Sequence, residues 1–462
     1  MKLDFNNMLT DRIGEVGIPI NALKDLALTI EKATNALKEK RPKMVWRDLP
    51  YSQTEILNEI KAYTTKMKDE IDAFVVLGIG GSALGPLAVQ QALNHPHYNE
   101  LPREQRGHPK LYVVDNVDPE KLVYLFQVID PTRCLFNVIS KSGSTSETMS
   151  QFMIIQAMLE EELGKERASR HIVCTTDPEC GNLIAIAKKE GYKTFYVPPA
   201  VGGRFSELTP VGLLPAAFCG IDIDGLLAGA AEMDAMCQED DIYKNPAHMY
   251  AALHYLGMTM GKNISILMPY ADALKLIADW YAQLWAESLG KKFDQDGKIV
   301  NVGQTPIRAL GATDQHSQIQ LYAEGPYDKI VVFMGVEEYR ETLSIPDNYS
   351  HMPSLGFLGG ITHNELIKTM QTATEYALTK SGRMNMTITI PKVTPKTVGQ
   401  LIYFFEVATA FAGELLNINA FDQPGVEEGK DATYALFGRP GYEAKKAELD
   451  AAPKKNLQYI IQ

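Results

Sequence analysis

Cysteine is scarce in this chain. There are five in 462 residues, at positions 134, 174, 180, 219 and 237. The number is odd, and no pair meets a second Cys or His pair at metal-ligand spacing. That argues against a disulfide framework and against a zinc module, and all five are read as reduced thiols of a cytoplasmic protein. Positive charge is also in short supply. Lys and Arg number 45 against 57 Asp and Glu, for a net charge of −12. This balance disfavours nucleic acid or an anionic membrane as partner. An anionic substrate would have to be drawn in by local positive groups. No apolar run is long enough to span a bilayer. The opening Met1-Lys-Leu-Asp-Phe-Asn-Asn-Met8 has no secretory apolar region.

What the chain does have is length and alternation. A chain of 462 residues can bury a large core and divide into two or three domains. Residues 1–70 read as helical and polar-faced, with helices from Asn21 and over Gln53–Ile71. Apolar runs at Ala73–Ile79, Lys110–Asp115, Cys134–Ile139, His171–Thr175 and Lys193–Pro198 then alternate with helix-length segments. Such alternation predicts βαβ units and a parallel sheet covered on both faces. The pattern returns at wider spacing, with strands at Asn263–Met268, Lys329–Gly335 and Met386–Ile390. Helices are expected at Ala271–Ser288, His363–Lys380 and Gln400–Leu416. The reading is an α/β protein of two αβα sandwiches with mostly parallel sheets, flanked by helical N- and C-terminal segments. The expected division is 1–70, 71–205, 206–440 and a tail, 441–462.

The chemistry is concentrated in a few stretches. Ser140-Lys-Ser-Gly-Ser-Thr-Ser-Glu-Thr148 lies between the Cys134 strand and a helix expected from Met149. Hydroxyls converging with unpaired amides on a helix N-terminus form a phosphate cradle. Gly78-Ile-Gly-Gly-Ser-Ala-Leu-Gly-Pro86 follows the first strand of the alternating series. It superficially resembles a dinucleotide loop, a weak signal alone, and the Ser140 cluster favours a sugar. In Val201-Gly-Gly-Arg-Phe-Ser206 the two glycines would turn the backbone so that Arg204 aims inward. Gln283 and Glu287 share one face of a helix, beside Trp280, Leu284 and Trp285. Glu287 falls in the last turn, and with apolar neighbours it is placed to act as a general base. His316 follows Asp314-Gln315 and is expected at a helix N-terminus. Gln423 and Lys430 flank a turn into a short helix.

Together these stretches resemble the phosphoglucose isomerase family, in its shorter bacterial form. The likeness runs along the whole chain. Val201-Gly-Gly-Arg-Phe-Ser206 and Gly413-Glu-Leu-Leu416 with Phe421-Asp-Gln-Pro-Gly-Val-Glu-Glu-Gly-Lys430 carry most of it. Pro199-Ala200 and Pro424 depart from the family's pattern without removing a chemical group. The resemblance implies two sugar-isomerase (SIS-type) sandwiches and a homodimer, with higher assemblies left open, and no metal or other cofactor. It also implies a place in glycolysis and gluconeogenesis, interconverting glucose 6-phosphate and fructose 6-phosphate. Ser140, Ser142, Thr145 and loop amides would bind phosphate, with Lys141 nearby and Gly81 and Ser82 in the sugar loop. His316, helped by Lys430, would open the ring. Glu287 would move the proton between C2 and C1, Arg204 would stabilise the developing negative charge, and Gln283 and Gln423 would orient hydroxyls. A non-catalytic sugar-phosphate sensor, or an isomerase of another sugar phosphate, is the alternative. A sensor would not need Glu287, His316, Arg204 and Lys430 together.

Overall fold

A computed structural model describes residues 1–461. Its strands are β1 (Lys2–Asp4), β2 (Ala73–Leu77), β3 (Lys110–Val114), β4 (Cys134–Ile139), β5 (Ile172–Thr176) and β6 (Lys193–Tyr196). They continue with β7 (Ile264–Pro269), β8 (Lys291–Phe293), β9 (Ile299–Val302), β10 (Thr305–Arg308), β11 (Lys329–Glu338) and β12 (Asn385–Lys392). The first sheet runs β3-β2-β4-β5-β6 and is parallel throughout. The second runs β1-β12-β11-β7-β10, parallel except for β1, which pairs antiparallel at the edge. The apolar runs of β2 and β4 are buried from end to end, as a sheet covered on both faces requires.

Both sheets share one winding. Counted in chain order, the first sheet's strands lie 2-1-3-4-5, and the parallel strands of the second lie 2-1-3-4. In this order the connections leave the sheet on opposite sides at the junction of strands 1 and 3. A crevice opens there, outside the carboxyl ends of the strands. In the first sheet that junction is β2 beside β4, with Leu77 level with Val138. The glycine-rich loop and the hydroxyl loop emerge from these two strands side by side.

The structure adds strands where the pattern predicted none. β1 brings the N-terminal segment into the second sheet, so that segment is not helical throughout. Three residues are too few to show a period. β10 contains Pro306, which an edge strand tolerates because its outward N–H is not needed. β8 and β9 form a small antiparallel pair after the helix Lys275–Leu289. The helix after the hydroxyl loop begins earlier than expected, at Ser146 instead of Met149, and the helix after β2 begins at Gly81, inside the glycine-rich loop.

A buried ionic hub ties the N-terminal segment to the core. The Asp234 carboxylate is 0% exposed. It accepts hydrogen bonds from Arg41 at 2.8 and 2.9 Å, Arg47 at 2.8 Å, Tyr403 at 2.5 Å, Tyr51 at 3.1 Å and Gln238 at 2.8 Å. Burial pushes its pKa up, but the bonds from Arg41, Tyr403 and Arg47 prevail and hold it well below the usual range. Asp234→Asn should therefore cost about 3–5 kcal/mol at neutral pH, because it leaves guanidinium groups buried without their counter-charge. A carboxyl with a depressed folded pKa gives its full stabilisation above the unfolded value of about 3.9 and loses it as pH falls through the folded one. The gap between wild type and variant should narrow below about pH 4. Urea unfolding at pH 7 and pH 3 checks this, and equal midpoints at pH 7 would remove the hub's role.

Candidate active site

Both loops of the crevice are shaped by close approach. Gly80 caps the helix Gly81–Leu93 at φ 58°, a left-handed conformation that glycine adopts without strain. A Cβ on Gly81 would lie 2.0 Å from the carbonyl oxygen of Gly203. The sugar loop and the arginine loop are thus pressed together, and a side chain at 81 would part them.

In the hydroxyl loop, Ser140 is buried at the end of β4. Its Oγ lies 3.2 Å from Thr145 Oγ1 and accepts the N–H of Gly143 at 3.0 Å. Ser142 Oγ accepts from the N–H and the hydroxyl of Ser144, at 3.3 and 2.9 Å. Thr145 is the N-cap of the helix Ser146–Leu163 yet makes no side-chain cap bond. The first-turn amides are therefore left for a ligand. Because the helix starts at Ser146, Thr148 falls within its first turn. Thr148 is 1% exposed, its hydroxyl has no partner, and it lines the cavity beside Ser140 and Ser142. The sequence reading passed over this residue, counting it as part of the run without a role.

Lys141 sits differently from a simple phosphate ligand. Its Nζ donates to the carbonyls of Pro199 and Val201, the latter at 3.2 Å, so it latches the hydroxyl loop to the arginine loop. Burial lowers its pKa, while Asp177 opposes that shift.

Arg204 is 4% exposed, and acceptors in the protein engage all of its N–H donors. Nε donates to Ser288 Oγ at 2.7 Å. Nη1 donates to Glu287 Oε1 at 3.1 Å and Gln423 Oε1 at 3.0 Å. Nη2 donates to the carbonyls of Ala420 at 2.6 Å and Asp422 at 3.1 Å. Burial lowers its pKa, and Glu287 and Asp422 counter that. One guanidinium therefore holds the helix Lys275–Leu289 and the 420–423 turn in a fixed relation.

Glu287 is engaged on both oxygens, Oε1 by Arg204 and Oε2 by Gln283 Nε2 at 2.9 Å. Gln283 and Glu287 do share one helix face. The Glu287 carboxylate itself meets Arg204 and Gln283, while Trp280, Leu284 and Trp285 are buried in the core. Gln283 Oε1 is buried and has no partner. Lys291, also passed over, is buried and donates to the carbonyls of Glu287 and Ser288, both at 2.9 Å. It satisfies the end of the helix that carries Glu287 and lies 3.6 Å from Asp422.

One cavity of about 1020 Å³ collects Gly80, Gly81, Lys141, Thr145, Arg204, Gln283, Glu287, Gln423 and Lys430. A second of about 470 Å³ adjoins it, shares Ile79, Lys141 and Thr145, and holds Ser82, Ser140 and Ser142. Lys430 is half-exposed and pairs with Glu427 at 2.8 Å. His316 is the residue not brought in. It is exposed and lines neither of these two cavities. Nor does it stand at a helix N-terminus. It closes the 3-10 turn Thr313–His316, and the next helix starts at Ile319. Asp314 sets this turn by accepting the N–H of Leu310 at 2.7 Å and the hydroxyl of Ser317 at 2.5 Å.

Residues 51–455 match the family model described as phosphoglucose isomerase. The chain is 51% identical, over the full length of both, to a protein of Carboxydothermus hydrogenoformans named glucose-6-phosphate isomerase. It is 44% identical to one of the same name from Rubrobacter xylanophilus, covering 96% of this chain and 99% of the other. Among solved structures, a hypothetical protein of Thermus thermophilus superposes with a TM-score of 0.84 at 37% identity, over 95% of this chain and 99% of that one. A glucose-6-phosphate isomerase of Chlamydia trachomatis shares the fold, with a TM-score of 0.79 at 20% identity over 94% and 90% of the two chains. With its winding, its crevice and these likenesses in accord, the chain belongs to the phosphoglucose isomerase family.

Proposed function

We infer that this chain interconverts D-glucose 6-phosphate and D-fructose 6-phosphate. The observation that carries the reading is the carboxylate of Glu287, held by Arg204 and Gln283 in a cavity continuous with the hydroxyl loop. Phosphate is taken by Ser140, Ser142, Thr145 and the amides of Ser146–Thr148. That anchors the sugar with its carbonyl end toward Glu287. In the open chain, Glu287 removes the C2 proton, which the carbonyl acidifies, and returns it to C1 through a cis-enediol(ate). Arg204 lies beside the base, and its fixed charge favours the negative charge that develops, an effect of roughly 3 kcal/mol in comparable sites. Gln283 and Gln423 orient hydroxyls. A coupled assay that consumes glucose 6-phosphate formed from fructose 6-phosphate tests the reading, and absence of turnover would overturn it.

Ring opening is assigned to His316 with Lys430. Because His316 is exposed and outside its own chain's cavity, it is read as serving the site of a second copy. The segment between β11 and the helix His363–Lys380 supports a homodimer. It presents Leu343, Tyr349, Met352, Leu355 and Phe357 to solvent, Phe357 at 68% exposure, more apolar surface than an excursion needs. Among the described residues no helix is long and apolar enough to cross a membrane, and a cytoplasmic site of action fits the reduced thiols. The sandwiches are taken as 71–205 and 206–440, between the flanking segments 1–70 and 441–462.

The hydroxyl loop makes a separate prediction. Phosphate contacts persist from ground state to transition state, so they count as uniform binding. Ser140→Ala with Thr145→Ala should raise KM by about tenfold or more and lower kcat less. Steady-state kinetics decide, and an unchanged KM would reduce the loop to a helix cap.

A further inference from the structure

We propose that Lys43, in the N-terminal segment, is a substrate-capture residue: its ammonium draws the anionic sugar phosphate into the cavity that holds Glu287, without a part in the proton transfer. The proposal rests on the reading of that cavity as a sugar-phosphate site. Four residues of the N-terminal segment, Lys40, Lys43, Met44 and Trp46, line the cavity of about 1020 Å³ beside Arg204 and Glu287.

The turn that carries Lys43 is fastened from both sides. It is the 3-10 turn Arg41–Lys43, with Pro42 at its centre. Before it, Lys40 Nζ donates to both oxygens of Glu414, at 2.6 and 2.7 Å. Arg41 itself is tied to the Asp234 hub. After it, Met44 and Trp46 are buried. The Trp46 ring lies 5.1 Å from that of Phe205, next to Arg204, and Phe205 lies 5.4 Å from Phe421. The backbone of Lys43 is thereby fixed at the cavity wall, against the arginine loop.

Lys43 differs from the other cations there. Arg204 is paired with Glu287, Lys40 with Glu414 and Lys430 with Glu427. Lys141 directs its ammonium to the carbonyls of Pro199 and Val201. Lys43 is exposed, and among the described residues it has no carboxylate partner. Two carboxylates oppose it: Glu147 lines the same cavity, and Asp177 lines the adjoining one. Without Lys43, the carboxylates around the two cavities, with those paired to the lining cations, would outnumber the cations. With it the formal charges match, and the positive ends of the helices starting at Gly81 and Ser146 tip the field toward anions. In a protein of net charge −12, this one ammonium decides the sign. Contact is not required. If round, a cavity of about 1020 Å³ is roughly 12 Å across, close to the Debye length of about 10 Å at 0.1 M salt.

The test measures two quantities on the full-length protein, at low and at high salt. One is affinity for inorganic phosphate, by calorimetry, which does not depend on turnover. The other is kcat/KM for fructose 6-phosphate. Lys43→Gln should weaken both about fivefold at low salt, with kcat changed less, and the deficit should close at about 0.5 M salt. Lys43→Glu should weaken both further, and Lys43→Arg should restore them. A merely structural role would leave a deficit that salt does not remove and that arginine does not repair. Unchanged phosphate affinity in Lys43→Gln and Lys43→Glu at low salt, or a deficit that persists at high salt, would overturn the proposal. Salt-sensitive phosphate binding that depends on Lys43, in a protein without isomerase activity, would fail only the functional reading.

Discussion

Replacing Glu287 with glutamine is expected to reduce kcat by at least about a thousandfold while a phosphorylated sugar-acid inhibitor still binds within a few-fold of wild type. The carboxamide matches the carboxylate in size, and the structure shows why it should be accommodated. Both oxygens of Glu287 receive donors, from Arg204 and from Gln283. A glutamine can keep its oxygen toward Arg204, where a charged donor demands an acceptor. Its NH2 would then meet the NH2 of Gln283. That conflict is relieved if the Gln283 amide turns over and offers Oε1, which has no other partner. The packing is preserved, and what is lost is the lone pair that accepts the C2 proton. Inhibitor titration and single-turnover kinetics separate binding from proton transfer. Turnover within tenfold of wild type would remove Glu287 from the role of base.

The second large effect concerns His316. Alone, His316→Ala should slow the closed-ring hexose phosphates by about a hundredfold or more, as loss of a positioned proton relay does. It should slow far less a tetrose phosphate, whose carbonyl is already free. Since His316 is exposed and outside its own chain's cavity, the active centre is expected to combine Glu287 of one chain with His316 of another. Mixing inactive His316→Ala and inactive Glu287→Gln proteins, with subunit exchange verified by mass, should then regenerate one intact site in each mixed dimer. Random mixing would restore about a quarter of wild-type activity. If no activity returns despite exchange, both residues serve within a single chain, and His316 must reach the cavity by a rearrangement of the turn set by Asp314.

Much of the fold was legible because its signals are local. Runs such as Ala73–Leu77 and Cys134–Ile139 are continuous and apolar, and helix-length segments separate them. No tertiary information is needed to read a covered parallel sheet from that. The helix His363–Lys380 lies where the pattern put it, bounded by a capping box at Thr362 and Glu365. The hydroxyl loop was legible for the same reason, since its hydroxyls are neighbours in the chain. Where signals were short they failed. β1 is a three-residue strand, and the start at Ser146 is a matter of backbone angles that a run of serines does not declare.

By itself, then, the sequence determined the alternation of strands and helices, the hydroxyl loop at a strand end, and the chemical groups to be gathered. Tertiary structure alone decided which of them meet. Arg204 reaches Glu287 across 83 positions and Gln423 across 219, and Lys141 reaches Val201 across 60. It decided that Trp280, Leu284 and Trp285 turn to the core while Glu287 turns to a charge, and that His316 stays outside. The physical reason is that a helical or strand period reports only which residues share a face. What that face meets depends on how elements distant in the chain pack, and on whether burial leaves a polar group paired or bare.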